Sequence, residues 1–384
     1  MSKFCLIASF PMSVLKFRGD LLKDLSKKGL EIHIILPNLN DSIDYELRNI
    51  FASFDYHLHE VSLQRTGLNP LADIKTLYQI FKKLKEIRPD YVLAYTIKPV
   101  LYGMLAARFA NVPKRFALIT GLGYAFQGID DNDHKSSKLQ KIIFMMYKAS
   151  LKKTQNVIFQ NPDDMHLFRK LGILSHSAKS CVVNGSGVNT EVFQEEAFPL
   201  NSEGVVQPHF LLIARLLGDK GVREYAEAAK QIKIKYPEAM FSLVGWIDTN
   251  PDAIAQAELD EWVSDGRLNY LGKLTDVRAA ISGSSIYVLP SYREGTPRTV
   301  LEAMSMGRPI ITTDAPGCRE TVVNGENGFL IDVKSVSSLI KAMEKFIESP
   351  ELIQTMGKSS RRMAEDKFDV KKVNQAMLHE MEIF

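Results

Sequence analysis

Short apolar runs and longer amphipathic stretches take turns along this chain. Residues 4–9, 31–36, 91–94, 116–119, 156–160 and 179–183 are largely apolar and of strand length, as expected of strands buried on both faces. Between them, residues 17–28 (closed by Gly29), 70–88, 100–110 and 162–171 repeat apolar positions at helical spacing. Strand, helix and strand in that order predict parallel pairing through right-handed crossovers, a Rossmann-like half. The polar run 194–208 breaks the pattern and reads as a linker. The alternation then restarts, with strands at 210–214, 241–244, 268–272, 286–289 and 309–313 and helices at 222–235, 277–282, 336–348 and about 371–382. The run 268–272 has the character of an edge strand.

Composition sharpens this without redirecting it. At 384 residues the chain is long for one core and suits two domains. With 45% hydrophobic and 24% charged residues and a formal charge of +3, it reads as an ordinary globular protein with no demand for nucleic acid. Its apolar runs are shorter than the ~20 residues a membrane-spanning helix needs, and the N-terminus lacks a basic start and cleavage site, so a cytoplasmic location is expected. Cys5, Cys181 and Cys318 are far apart without metal-ligand spacing and read as buried thiols. His57 and His59 alternate in an extended run, and two histidines without a third ligand make a poor metal site.

The densest chemistry lies at residues 290–309. An apolar strand feeds a loop, and Thr296 as N-cap with Pro297 as first helical residue predict a helix that Gly307 and Pro309 close. Such a strand, loop and helix N-terminus suits a phosphate. Glu294 and Glu302 bracket the turn eight positions apart. Carboxylates repel phosphate but accept hydrogen bonds from sugar hydroxyls, so the stretch suits a sugar carried on a nucleotide diphosphate. Upstream, Arg215 and Lys220 flank the loop after strand 210–214, where two cations would draw a diphosphate. Asp131 and Asp133 form an Asp-x-Asp in a polar run without a preceding strand and read as solvated loop, not as a metal site. No Gly-x-Gly-x-x-Gly follows the first strand, which disfavours a dehydrogenase.

The stretch Glu294-Gly295-Thr296-Pro297, Leu301-Glu302-Ala303, Gly307-Arg308-Pro309, then 314–320 and 324–330, resembles the E-x7-E signature of the family 4 retaining glycosyltransferases. The resemblance covers most of the C-terminal half and implies an α/β chain of GT-B fold, two Rossmann-like domains facing across a cleft. It implies an acceptor-binding domain at 1–188, a linker at 189–208, a nucleotide-sugar domain at 209–365 and a C-terminal helix, 366–384, returning to the first domain. On the donor side it implies Arg215 and Lys220 at the diphosphate, Glu302 at the ribose, Glu294 at the transferred sugar, and Lys273, Thr299 and Val300 in further nucleotide contacts. The sugar nucleotide is then a substrate, with no cofactor and no metal required. Residues 10–19 read as a loop lacking the family's glycine pair, with Arg18 a candidate anion contact. Lys98 follows a strand, as either ligand or solvated lysine, and Thr120 stands where many members carry histidine.

The stretches 96–99 and 120–124 are similar to those of bacterial enzymes that extend polyprenyl-diphosphate-linked glycans, which implies a UDP-N-acetylhexosamine donor, UDP-GalNAc preferred, and a lipid-linked saccharide acceptor. Residues 135–153, from Lys135 to Lys153, carry six lysines, and Leu139, Ile142, Ile143 and Met146 share one helical face. That helix reads either as core-facing with a lysine-covered outside or as lying on an anionic membrane. A nucleotide-sugar 2-epimerase and a non-catalytic sugar-nucleotide binder are the alternatives to a transferase.

Overall fold

The computed structural model describes residues 1–39, 45–64, 69–123, 126, 137–200 and 202–384. They fall into two compact units, one of residues 1–186 with 374–384, the other of residues 187–373.

In chain order the first unit holds β1 (Lys3–Ile7), α1 (Pro11–Lys27), β2 (Glu31–Pro37), α2 (Tyr45–Ser53), β3 (His57–Val61), α3 (Pro70–Ile87), β4 (Tyr91–Tyr95), α4 (Met104–Phe109), β5 (Lys114–Ile119), α5 (Lys138–Leu151), β6 (Asn156–Phe159), α6 (Pro162–Lys170) and β7 (Ser180–Val182). The seven strands form one sheet in the order β3-β2-β1-β4-β5-β6-β7, with every pairing parallel. Successive residues of its central strands are buried on opposite faces. Cys5, Ile7, Val92 and Ala94 pack under α3, α4, α5 and α6, while Phe4, Leu6, Ile34 and Leu93 pack under α1, α2 and the C-terminal segment. Burial on both faces is why these strands read as unbroken apolar runs.

One expectation fails at α1. The helix begins at Pro11, so residues 11–19 are helical, not a loop. Proline fixes φ near the helical value at N1, where its missing N–H costs nothing, and the chain enters from an extended Phe10. Arg18 therefore sits two turns into a helix. His57 and His59, on edge strand β3, stack on His33 of β2.

The second unit holds β8 (His209–Ile213), α7 (Val222–Lys235), β9 (Met240–Val244), α8 (Gln256–Ser264), β10 (Asn269–Tyr270), α9 (Arg278–Ser282), β11 (Ile286–Leu289), α10 (Arg298–Ser305), β12 (Ile310–Thr313), β13 (Gly328–Ile331), α11 (Val336–Glu348) and α12 (Glu351–Met363). Its six strands are ordered β10-β9-β8-β11-β12-β13, again all parallel. A last helix, α13 (Val370–Glu380), carries the chain from this unit into the first, where Met377 and Met381 join the core.

The polar run expected as a linker belongs to the second unit. Arg308, fully buried between α10 and β12, donates to six backbone carbonyls, those of Glu196, Ala197, Ile281, Ser282, Ser284 and Met306. Arg361 of α12 donates to the carbonyls of Thr190, Phe193 and Ser305. Two guanidinium forks thus strap the backbone of residues 190–197 to the second unit.

Candidate functional site

In an open parallel sheet, ligands gather at the carboxyl ends of the strands where the order reverses. In the second unit that point lies between β8 and β11, and the loops leaving these two strands carry the cations and carboxylates singled out by sequence.

The two loops are built against each other. Gly221 has φ +69°, and a Cβ there would lie 2.3 Å from the carbonyl oxygen of Pro290, so only glycine allows this approach. The Tyr292 N–H donates to the Asp219 carbonyl at 2.9 Å, and the Asp219 N–H to the Asp252 carboxylate at 2.8 Å. From the other side, the Glu294 N–H donates to the Pro316 carbonyl at 2.9 Å, and Gly317, with φ +81°, would place a Cβ 2.2 Å from the Glu294 carbonyl oxygen. The Lys220 ammonium and the Glu294 carboxylate then meet at 2.6 Å with both side chains largely shielded. Arg215 is held by Asp248 at 3.0 Å.

Burial works against the charge on Lys220, but Glu294 and then Asp219 outweigh it, and its pKa is raised above the usual lysine range. The Asp219 carboxyl is pushed up by burial, with Lys220 and Arg215 opposing and Glu294 and Asp252 adding to the rise. Arg215, Lys220, Asp219 and Glu294 therefore act on one another electrostatically. Glu302 accepts from Arg298 one helical turn earlier at 2.9 Å, and both it and Glu294 bear on the buried Tyr287 of β11.

Helix α10 starts one residue later than expected. Pro297 is its N-cap, extended at φ −72° and ψ 110°, and makes no side-chain cap bond because its ring carries no acceptor atom. Thr299 donates to the Ile213 carbonyl at 3.4 Å, tying α10 to the end of β8, and Val300 is buried. Lys273 follows β10 and lies over the ring of Trp246, 5.0 Å from its centroid, on the loop after β9. Sequence reading passed over Asp248, Asp219, Arg298 and Trp246. Only Arg298 left a usable sign, its i,i+4 spacing from Glu302.

The corresponding reversal in the first unit lies between β1 and β4. Hydroxyls occupy it, with Ser9 and Thr96 2.8 Å apart and Ser13 and Tyr95 2.7 Å apart. Arg18 is buried, its guanidinium 5.4 Å from the centroid of Tyr95. Lys98 is not a solvated loop residue; it is buried and bonded to Asp73 of α3 at 3.0 Å. Thr120 directly follows β5, ahead of Gly121 and Gly123, both at positive φ. Helix α5 is capped by Ser137 and Gln140 in a reciprocal box and buries Ile143, Tyr147 and Leu151, while Leu139 and Ile142 stay exposed. Of the face expected from sequence, only Ile143 is fully buried. Asp131, Asp133 and Lys135 lie outside the described residues. Among the described residues no group of three or more histidine, cysteine and acidic side chains is placed to hold a metal ion, and no helix is long and apolar enough to cross a membrane.

The sequence matches the family described as "Glycosyl transferases group 1" over residues 193–363 and "Glycosyl transferase 4-like" over residues 4–161. It is 31% identical over 360 residues to the N,N'-diacetylbacillosaminyl-diphospho-undecaprenol alpha-1,3-N-acetylgalactosaminyltransferase of Campylobacter jejuni, covering 92% of this chain and 91% of that protein. It is 28% identical over 375 residues to the UDP-Gal:alpha-D-GlcNAc-diphosphoundecaprenol alpha-1,3-galactosyltransferase of Escherichia coli, covering 92% of each. Among solved structures, sucrose-phosphate synthase from Thermosynechococcus elongatus superposes with a TM-score of 0.80 at 18% identity, covering 99% of this chain and 98% of that one. HepE from Anabaena, in complex with UDP and glucose, superposes with a TM-score of 0.78 at 16% identity over the whole of both chains. The relatives named are transferases, which favours transfer over the epimerase alternative. The chain belongs to the family 4 retaining glycosyltransferases of GT-B fold.

Proposed function

We propose that this glycosyltransferase moves an N-acetylhexosamine, GalNAc preferred, from its UDP-sugar to a saccharide linked to polyprenyl diphosphate. The observation that carries the donor assignment is the Lys220–Glu294 pair beside Arg215 at the β8/β11 reversal, a place for a diphosphate and a sugar together. The names of the Campylobacter and Escherichia coli relatives support the lipid-linked acceptor, and that of the Campylobacter relative supports the hexosamine.

Arg215 and Lys220 neutralise charge growing on the departing diphosphate, and because backbone bonds already fix the loops, little reorganisation is needed as the bond breaks. Glu302 accepts from ribose hydroxyls, Glu294 from hydroxyls of the transferred sugar, and Lys273, Thr299 and Val300 complete the nucleotide site. Retention follows from attack on the same face of the sugar. The acceptor oxygen bonds the anomeric carbon as its bond to the diphosphate oxygen breaks, and that oxygen takes the acceptor's proton. Arg18, Lys98 and Thr120 belong to the acceptor side; Lys98, bound by Asp73, shapes that side without meeting the acceptor itself. The acceptor's lipid places the enzyme at the inner face of the cytoplasmic membrane, with α5 in peripheral contact.

Incubation with labelled UDP-sugars and lipid-linked acceptors, scoring product and UDP together, tests the reaction. Glu302→Ala is expected to lower kcat/KM by roughly a hundredfold, the worth of charged hydrogen bonds to ribose. Near-normal turnover would remove that assignment.

A further inference from the structure

Two helices of the first unit leave large apolar side chains uncovered on the same layer and at the same end. Leu71, Ile74 and Tyr78 on α3, and Leu139, Ile142 and Met145 on α5, are between 45% and 81% exposed. On α3 the spacing is i, i+3 and i+7, one stripe of the helix surface. Both helices pack on the sheet face that also carries α4, one on each side of the turn at residues 99–103. Each follows a parallel strand and runs back along the sheet, so its first turns lie at the strands' carboxyl ends. Leu71, Ile74, Leu139 and Ile142 fall in the first two turns of their helices, Tyr78 and Met145 in the third.

Among the described residues of the two helices, the exposed charge beside these side chains is that of lysines. Helix α5 carries Lys138, Lys141 and Lys148 and no acidic residue. On α3, Lys75 and Lys82 are exposed beside the apolar stripe, whereas Asp73 is turned inward to Lys98 and Glu86 pairs with Lys83 in the last turn. Apolar residues that could have been buried are outside, ringed by lysines, in the arrangement of a helix that lies in the headgroup layer.

We infer that α3 and α5 together form a docking surface for an anionic phospholipid bilayer. The inference rests on the lipid-linked acceptor proposed above and adds to it that α3, which sequence gave no reason to single out, is half of the contact. Two helices side by side fix the orientation of the unit on the membrane, which one helix alone does not.

Flotation of the full-length protein with vesicles of phosphatidylglycerol and phosphatidylcholine, against phosphatidylcholine alone, reads this without any substrate. The protein is expected to float with the anionic vesicles at low salt and to be released by salt. The variant Ile74→Asp with Tyr78→Asp, and separately Ile142→Asp, should each weaken partition by roughly tenfold or more while leaving circular dichroism and transfer to a water-soluble acceptor analogue unchanged. A wild type that stays in the dense fraction, an α3 variant that floats as well as wild type, or a concentration-dependent dimer that the variants abolish would each overturn the surface. Because transfer to the soluble analogue is scored separately, loss of the proposed reaction and loss of bilayer contact are told apart.

Discussion

The two units repeat one strand order, yet the ends of their central strands are furnished differently. In the second unit the loops after β8, β9 and β11 carry paired charges, Lys220 with Glu294 and Arg215 with Asp248. In the first, the loops after β1 and β4 meet through hydroxyls, and the lysine that follows β4 is turned away into a buried pair with Asp73. The same local signal, a lysine just past a parallel strand, therefore has two outcomes. At the second unit's reversal it meets the Glu294 carboxylate in the site we propose for a diphosphate, and in the first it holds helix to strand end. A charged leaving group needs fixed countercharge, whereas a hydroxyl acceptor needs hydrogen-bond partners.

The sharpest break between these two roles is Lys98→Ala. Both side chains of the Lys98–Asp73 pair are shielded from water, so removing one partner leaves a buried carboxylate uncompensated, at about 3–5 kcal/mol. Hydrogen exchange should show α3 and β4 losing protection, with UDP affinity unchanged. The double variant Lys98→Met with Asp73→Leu should recover most of the loss. Normal protection in Lys98→Ala would mean that the pair is not structural.

Lys220→Ala is the counterpart in the second unit. It is expected to lower kcat/KM by roughly 10²–10³-fold, the worth of one preorganised group at a developing anion, and to weaken UDP binding. Exchange protection in α3 and β4 should not move. If Lys220→Ala keeps its turnover while Lys98→Ala loses it, the assignment of roles is reversed.

What the chain reveals of this arrangement follows from the range of the interactions. Strands buried on both faces announce themselves as apolar runs, and α11 was placed to the residue from its apolar repeat. The start of α1 is less legible, because a proline suits helix position N1 and a loop alike. Lys220 and Glu294 stood out because each lies in the loop after a strand beside a glycine, Gly221 and Gly295, Arg215 because it closely follows β8, and Glu302 by its spacing from Glu294. Their partners did not, since Asp248 is 33 residues from Arg215 and Asp73 is 25 from Lys98, and nothing local marks either pairing. Arg308 was visible only as part of a motif; that it binds six carbonyls appears once the strap of residues 190–197 is in place.

The smallest of these effects separates the units by pH. On the first unit's edge, His33 lies 2.9 Å from His59 and 2.8 Å from Glu31, with His57 stacked on the same ring. Burial, then His33, Lys83 and His57, hold His59 down to about 4, with Glu86 opposing. Burial likewise lowers His33, with Glu31 opposing and His57 and Lys3 adding to the fall. Folded pKa values below the unfolded value of about 6.5 mean that the unfolded chain binds the extra protons, so stability is held above that pH and lost as pH falls toward 4. The second unit has His209, a half-buried imidazole bonded to Ser242 at 2.8 Å and also held low by desolvation, with the Gly283 backbone opposing. His59→Gln should therefore remove roughly 2 kcal/mol of the acid sensitivity between pH 7 and 4.5, as read by urea unfolding, and leave the contribution of His209 in place. Equal acid losses in wild type and variant would show that the edge cluster does not set the first unit's response to pH.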